Sequence, residues 1–451
     1  MVIAMTLLKS RTWIRATFLA LPLVAAQLVV TQAQTDLGMT AFSAAVAQEE
    51  TKKKPEATRR TPALRNKVYE KLAEAQLAAE DKDWITAREV LDGMLDAGGK
   101  KALNSYELAN VYNLYAFVYY SAEDYKNALK AYENVVAQPD IPLGMEISTK
   151  YTIAQLYFVQ EDWKAGVAAL LDWFDATETQ PANAYVLLAQ GYYQLKDYDN
   201  ALFNVEKAID MYKAKDKIPK EQWYNLARFL YFDKGDTNST VTILEEMLVY
   251  FPKKQYWVQL SHMYGEQKKE AEQLSAMDTA YIQDMLDKGQ EQITMAYLYL
   301  NAEVPYKAAK VMDKGLKDES IESKSKNYEI LGNSWRQAQE IEKAIPAMEL
   351  ASAKSDAGEL YARLGNVYLD GDQFKKAISS INKGLKRGGV KRPDTARLVL
   401  GMAYFNDKQY NNARKAFKAA AKDERSEKYA TQWLKYLENE LSRQQKLKDD
   451  I

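Results

Sequence analysis

The residue types that carry most enzyme chemistry are nearly missing from this sequence. It has no cysteine and one histidine, His262. Thiol nucleophiles, disulfides and cysteine zinc sites are therefore excluded, and a lone histidine cannot build a multi-histidine metal centre. Acidic residues are plentiful, 62 against 61 Lys and Arg. They lie beside lysines on outer helical faces, as on solvated helices. No glycine-rich phosphate loop or nucleophile elbow occurs, so neither catalysis nor a cofactor is expected. What remains is the chemistry of binding. Tyrosine outnumbers phenylalanine by 31 to 12, and a tyrosine can bury its ring while its hydroxyl stays wet. The formal net charge of -1 gives no global basic bias, so a nucleic-acid partner is not expected.

The elements that would position those rings follow from a recurring spacing. A small residue is followed three places on by an aromatic and twelve places on by a second small residue. The first small residues fall at Ala75, Ala116, Ala154, Ala189, Ala227, Ser261, Ala296, Gly332, Gly365 and Gly401. The second fall at Ala87, Ala128, Gly166, Ala201, Ser239, Gln273, Ala308, Ala344, Ala377 and Ala413. Two helices crossing at such a point leave room for little or no side chain. Tyr119, Tyr157, Tyr192, Tyr264, Tyr299, Trp335, Tyr368 and Tyr404 should fill the space between helices, and Trp84, Tyr125, Trp163, Tyr198, Phe374 and Tyr410 should close the turn inside each pair. Pro142, Pro181, Pro219, Pro252 and Pro393 mark boundaries between copies. Strand signals are absent. A two-helix repeat near 34 residues is a solenoid signature. Three irregular copies are expected, around Ala227, at Gln273 where a small residue should stand, and at Pro346 inside a second helix, where a kink is expected.

The ends differ from the repeats. Lys9, Arg11 and Arg15 precede an apolar run, Ala16–Val30, and two small-residue cleavage sites follow, Thr31-Gln32-Ala33 and Ala45-Val46-Ala47. The second is preferred, which makes 1–47 a signal peptide and the mature protein periplasmic, with no integral membrane span after processing. Residues 48–62 read as a disordered basic linker, a solvated tether carrying Lys52, Lys53, Lys54, Arg59 and Arg60. Residues 63–425 carry the repeats. Residues 426–451 read as a capping helix and tail, with Tyr429, Trp433, Tyr436, Leu437 and Leu441 on one face.

Trp257-x2-Leu260-Ser261-x2-Tyr264 and Tyr361-x2-Leu364-Gly365-x2-Tyr368 reproduce the first half of a known motif, and Ala413…Phe417…Ala420 its second half. The pattern resembles the tetratricopeptide repeat, over roughly Lys67 to Ala421. That resemblance implies an all-α, right-handed superhelical solenoid of about ten helix pairs with a C-terminal cap. It also implies a groove lined by the residues one and four places after each first small residue. Those are Phe117, Tyr120, Gln155, Phe158, Gln190, Tyr193, Arg228 and Tyr231, an aromatic stripe with interleaved polar groups. The later positions are more polar: His262, Tyr297, Asn333 with Arg336, Asn366, and Met402 with Phe405. Aromatics with adaptable hydrogen-bonding groups suit a protein or peptide segment. His262 reads as a groove or packing residue. The carboxylate clamp of some relatives is not evident, since Glu329 stands where its first lysine should be.

The leader, the basic linker, the Tyr-rich repeats and the final Trp433-Leu434-Lys435-Tyr436-Leu437 segment resemble periplasmic repeat proteins of TonB-type energy transduction. The resemblance implies a scaffold whose partners are membrane energy-transduction subunits. The alternatives are an assembly factor for outer-membrane proteins or envelope polymers and, further off, a cell-wall enzyme or enzyme activator.

Overall fold

The computed structural model describes residues 62–449. The leader, and the linker except its last residue, lie outside the described residues. Among the described residues all regular structure is helical, as the spacing predicts. The chain divides between Phe251 and Pro252 into two compact units.

The first unit holds five antiparallel helix pairs: α1 (Asn66–Glu80) with α2 (Trp84–Leu95), α3 (Ser105–Ser121) with α4 (Tyr125–Val136), α5 (Leu143–Val159) with α6 (Trp163–Ala176), α7 (Ala182–Gln194) with α8 (Tyr198–Lys213), and α9 (Glu221–Asp233) with α10 (Thr237–Tyr250). The second unit holds five more: α11 (Lys254–Glu266) with α12 (Glu270–Ile282), α13 (Gly289–Asn301) with α14 (Pro305–Lys317), α15 (Ser325–Gln337) with α16 (Ile341–Ala353), α17 (Glu359–Asp370) with α18 (Phe374–Arg387), and α19 (Pro393–Asn406) with α20 (Tyr410–Ala420). A final helix, α21 (Glu424–Asp449), packs on α19 and α20. Ten pairs and a cap therefore stand where the spacing put them. Pro142 and Pro181 are N-caps of α5 and α7, and Pro393 opens α19.

The small residues sit at the crossings. Ala75, Ala87, Ala116, Ala128, Ala154, Ala189, Ala201, Ala296, Ala308, Ala344, Ala377 and Ala413 are fully buried. At Gly365 an added Cβ would lie 2.2 Å from Ile381, and at Gly401 2.4 Å from Phe417. Neither site admits even a methyl group without displacing its neighbour.

Each turn inside a pair is closed the same way. One residue takes a left-handed conformation and the next amide reaches back five residues, as from Asp83 N to Ala78 O at 2.8 Å and from Gln373 N to Tyr368 O at 2.8 Å. This is a Schellman closure. It also supplies a register independent of side-chain size. In the fifth pair the Asp236 amide bonds to Tyr231 O, which makes Arg228 and Thr240, and not Ala227 and Ser239, the residues at the crossing. Both are fully buried. The large Arg228 side chain occupies a position that elsewhere holds alanine, glycine or serine, with Nη2 donating to Asn225 Oδ1 at 3.1 Å. The two other irregular copies are accommodated locally. Gln273 projects its amide into the space that Gly265 leaves vacant, and Ser261 Oγ donates to Gln273 O at 2.8 Å. Helix α16 runs unbroken past Pro346.

Four of the tyrosines three places after the crossing tie neighbouring pairs together. Tyr157 Oη donates to Glu133 at 3.2 Å. Tyr231 does the same to Glu206, Tyr299 to Asp278 and Tyr368 to Glu349. Every acceptor lies five places after the second crossing residue of the preceding pair. Burial and the neighbouring carboxylate push the Tyr299 and Tyr368 hydroxyls well above the usual phenol value, so they stay protonated and donate. Phenylalanine at any of these four places would forfeit the bond.

Candidate functional site

The first helices of the first unit carry the expected aromatic row, and the structure sorts its members. Phe117, Tyr120, Gln155, Gln190 and Tyr193 are half-buried and keep part of their surface in solvent. Tyr120 packs on Tyr125 at 5.5 Å and Tyr193 on Tyr198 at 5.9 Å, so each ring leans on the aromatic that opens the following helix. The Tyr120 hydroxyl is buried and has no hydrogen-bond partner among the described residues, and burial pushes its pKa up.

Three expected positions are corrected. Phe158 is only 6 % exposed. Gly166 and Gly191 lack the side chains that would hold its ring out, since a Cβ on either would come within 3.0 Å of it. Arg228 is fully buried at a helix crossing, and Tyr231 is the inter-pair tie to Glu206. Moving the register by one places Phe229 and Phe232 at the two groove positions of the fifth pair. Both are half-buried, and Phe229 meets Tyr193 edge-on at 5.7 Å. Asp236 could have revealed this from sequence: in the four preceding pairs an aspartate lies eight places after the crossing residue, and counting back from Asp236 reaches Arg228.

The equivalent face of the second unit is polar and internally paired. Arg336 Nε lies 2.6 Å from Asp370. Arg363 bridges Glu329 at 2.5 Å and Glu359 at 2.9 Å. An arginine held by two carboxylates is not a receptor for a terminal carboxylate, in keeping with the missing clamp. His262 is half-buried, with Glu266 3.9 Å away. Burial pushes its pKa down, more than Glu266 raises it, so it is neutral at neutral pH. Tyr297 is 42 % exposed, and Asn333, Asn366, Met402 and Phe405 are half-buried. Phe405 is covered by the cap helix, 5.8 Å from Trp433 and 5.3 Å from Tyr436. The cap presents Ala430 and Leu437 inward, while Tyr429 and Tyr436 stay more than half exposed. Tyr436 still meets both Phe405 and Trp433, so its exposure is partial.

A hollow of about 550 Å³ lies between α12 and α14, lined by Tyr281, Lys310, Asp313, Lys314, Lys317 and Asp318, away from the aromatic row. Among the described residues no group of three or more potential metal ligands converges, and no helix is long and apolar enough to cross a membrane.

Comparison with known proteins agrees with the repeat geometry. The tetratricopeptide repeat family model matches residues 182–215, 358–387 and 395–422. No curated protein matches the chain. Solved structures similar to it include MamA from Desulfovibrio magneticus, 18% identical over 38% of this chain and 96% of that one, with a TM-score of 0.33. A tetratricopeptide repeat protein from Parabacteroides merdae is 14% identical over 60% of this chain and 99% of that one, at 0.33. The APC/C hetero-tetramer Cut9–Hcn1 is 15% identical over 84% of this chain and 91% of that one, at 0.31. Likenesses this distant say nothing about partners. The matched segments, each a helix pair with its Schellman turn, show that this chain carries tetratricopeptide repeats, the architecture of a protein-interaction scaffold.

Proposed function

We propose that the protein is exported, works in the periplasm, and holds a segment of a protein partner on the first-helix face of its first unit, without chemistry of its own. The observation that carries this reading is the row Phe117, Tyr120, Tyr193, Phe229 and Phe232. These rings are anchored on one side and open to solvent on the other, with Gln155 and Gln190 between them. Rings already fixed by their neighbours lose little entropy on binding, and the amides adapt to a backbone. Among exported scaffolds, the likeness to repeat proteins of TonB-type systems favours inner-membrane transducer subunits as partners.

A photocrosslinking amino acid placed in turn at Phe117, Tyr193 and Phe229, in intact cells, tests the reading. One defined protein should be captured from these sites and not from Ile85 or Phe203, exposed residues of second helices. Capture of a transducer subunit supports the TonB role, whereas capture of a synthase or barrel-assembly component moves the scaffold to envelope assembly. Equal capture from both faces, or none, sinks the binding face. N-terminal sequencing of the mature protein checks export, and a start at Met1 overturns it.

A further inference from the structure

The nearly neutral total charge conceals a separation of charge along the chain. Between 62 and 251 there are 19 Lys and Arg against 29 Asp and Glu, and between 252 and 449 there are 34 against 28. The excess is concentrated further. Residues 371–422, covering α18, α19 and α20, contain thirteen Lys and Arg, three Asp and no Glu.

Much of that charge lies on the outer faces of two second helices that both pack on α19. Lys375, Lys376, Lys383, Lys386 and Arg387 on α18 are exposed, as are Lys415 and Lys418 on α20 and Lys422 just beyond it. None of the eight forms an ion pair among the described residues. Elsewhere in the unit several lysines are paired with carboxylates, as at Lys254–Asp287, Lys314–Asp284 and Lys317–Asp313. Inward-leaning members of the α18 set rest on rings: Lys376 lies 5.5 Å from the Tyr368 centroid, and Lys383 and Arg387 lie 4.3 and 4.7 Å from that of Tyr361. Lys375, Lys386, Lys415, Lys418 and Lys422 are exposed and form neither an ion pair nor a ring contact among the described residues.

We propose that this face docks the protein on an anionic phospholipid surface. Three features separate that partner from other polyanions. No large hydrophobic side chain is exposed between Leu350 and Tyr429, so the face lacks the apolar anchors a protein interface needs. The rings beneath it are covered by lysine and arginine, which removes the stacking platform that single-stranded nucleic acid uses. The outermost cations are all lysines, point charges suited to a diffuse sheet of headgroups and not to forked recognition of one phosphate.

The full mature chain is sedimented with vesicles of pure phosphatidylcholine and with vesicles of equal parts phosphatidylcholine and phosphatidylglycerol. Binding is expected to the anionic vesicles alone and to fall steeply with salt. Replacing Lys375, Lys386, Lys415, Lys418 and Lys422 by glutamine should lower the partition coefficient at least about 100-fold with helicity unchanged. Replacing Lys82, Lys126, Lys130, Lys164 and Lys207 of the first unit should leave it unaltered. The proposal is overturned if the five-lysine variant binds as the parent does, or if the parent ignores anionic vesicles. It is equally overturned if neutralising Lys52, Lys53, Lys54, Arg59 and Arg60 alone abolishes binding, or if the face prefers a single-stranded oligonucleotide to vesicles at the same salt.

Discussion

The two units close the same turn with different chemistry. In the first unit all five second helices begin on an aspartate whose carboxylate accepts an amide three residues on: Asp83 from Thr86 at 3.1 Å, Asp124 from Asn127 at 3.1 Å, Asp162 from Ala165 at 3.0 Å, Asp197 from Asn200 at 3.2 Å and Asp236 from Ser239 at 3.0 Å. In the second unit the same place is taken by Lys269, Val304, Glu340, Gln373 and Gln409, and none caps its helix with a side chain. The backbone does not explain this, since Gln373 (φ −89°, ψ 59°) and Asp124 (φ −87°, ψ 68°) are nearly superimposable. Instead three of these five turns put a lysine three places on, over the ring of the preceding helix. Lys307 lies 5.2 Å from the Tyr299 centroid, Lys343 4.8 Å from Trp335 and Lys376 5.5 Å from Tyr368. A side-chain cap contributes about 1 kcal/mol. An exposed cation–π contact contributes about 0.5–1 kcal/mol, and a lysine at a helix N-terminus opposes the helix dipole. One repeat geometry thus tolerates two unequal electrostatic solutions, with the stronger in the first unit.

The largest test removes that advantage. Asp124→Ala, Asp162→Ala, Asp197→Ala and Asp236→Ala together should cost the first unit about 4 kcal/mol. Hydrogen exchange read by mass spectrometry should then show α3 to α10 losing protection while α13 to α20 keep theirs, and uniform loss would mean that the units do not differ in this way. The reverse exchange is smaller. Gln373→Asp and Gln409→Asp should raise the stability of the second unit by about 1–2 kcal/mol in denaturant titration. The first also removes a buried Gln373 oxygen that lacks a partner among the described residues. The smallest effect is local and depends on pH. The amide and hydroxyl of Ser239 hold the Asp236 carboxyl below its usual value. The cap is therefore fully present above about pH 4 and is lost as pH falls through the depressed folded value. The Ser239 amide resonance should titrate in that acid range, whereas Lys307, whose turn begins on Val304, should not respond, and Asp236→Asn should flatten the Ser239 curve.

Much of the fold was legible because close helix crossings allow few residue types, and because an aromatic opens many second helices. The register failed at the one copy where the crossing holds Arg228, since size alone was used to find it. The carboxylates that receive the tyrosines were illegible for another reason. Each pairs with a residue on a different repeat, and no local pattern announces a contact between pairs. For the candidate site, the alternation of rings and amides was visible. The depth of Phe158 was not, because it is set by Gly166 on α6 and Gly191 on α7, outside its own helix.

The tyrosine–carboxylate ties give the repeats that carry them a polarity that bears on how the array could be rebuilt. A repeat such as α17–α18 carries a hydroxyl donor, Tyr368, at its leading edge and offers Asn382 at its trailing edge, where the side-chain amide reaches the Tyr404 hydroxyl at 3.2 Å. Repeats are thus not freely interchangeable bricks, because each leading edge must meet a trailing edge of matching hydrogen-bonding sense. At the corresponding trailing position α20 presents Lys418, an exposed cation that accepts nothing. In the leading repeat α1–α2, Ala78 stands where the tyrosine would be and donates nothing. An engineered copy grafted after α20 would meet a donor, Lys418, where a copy placed after α16 would meet an acceptor, Glu349.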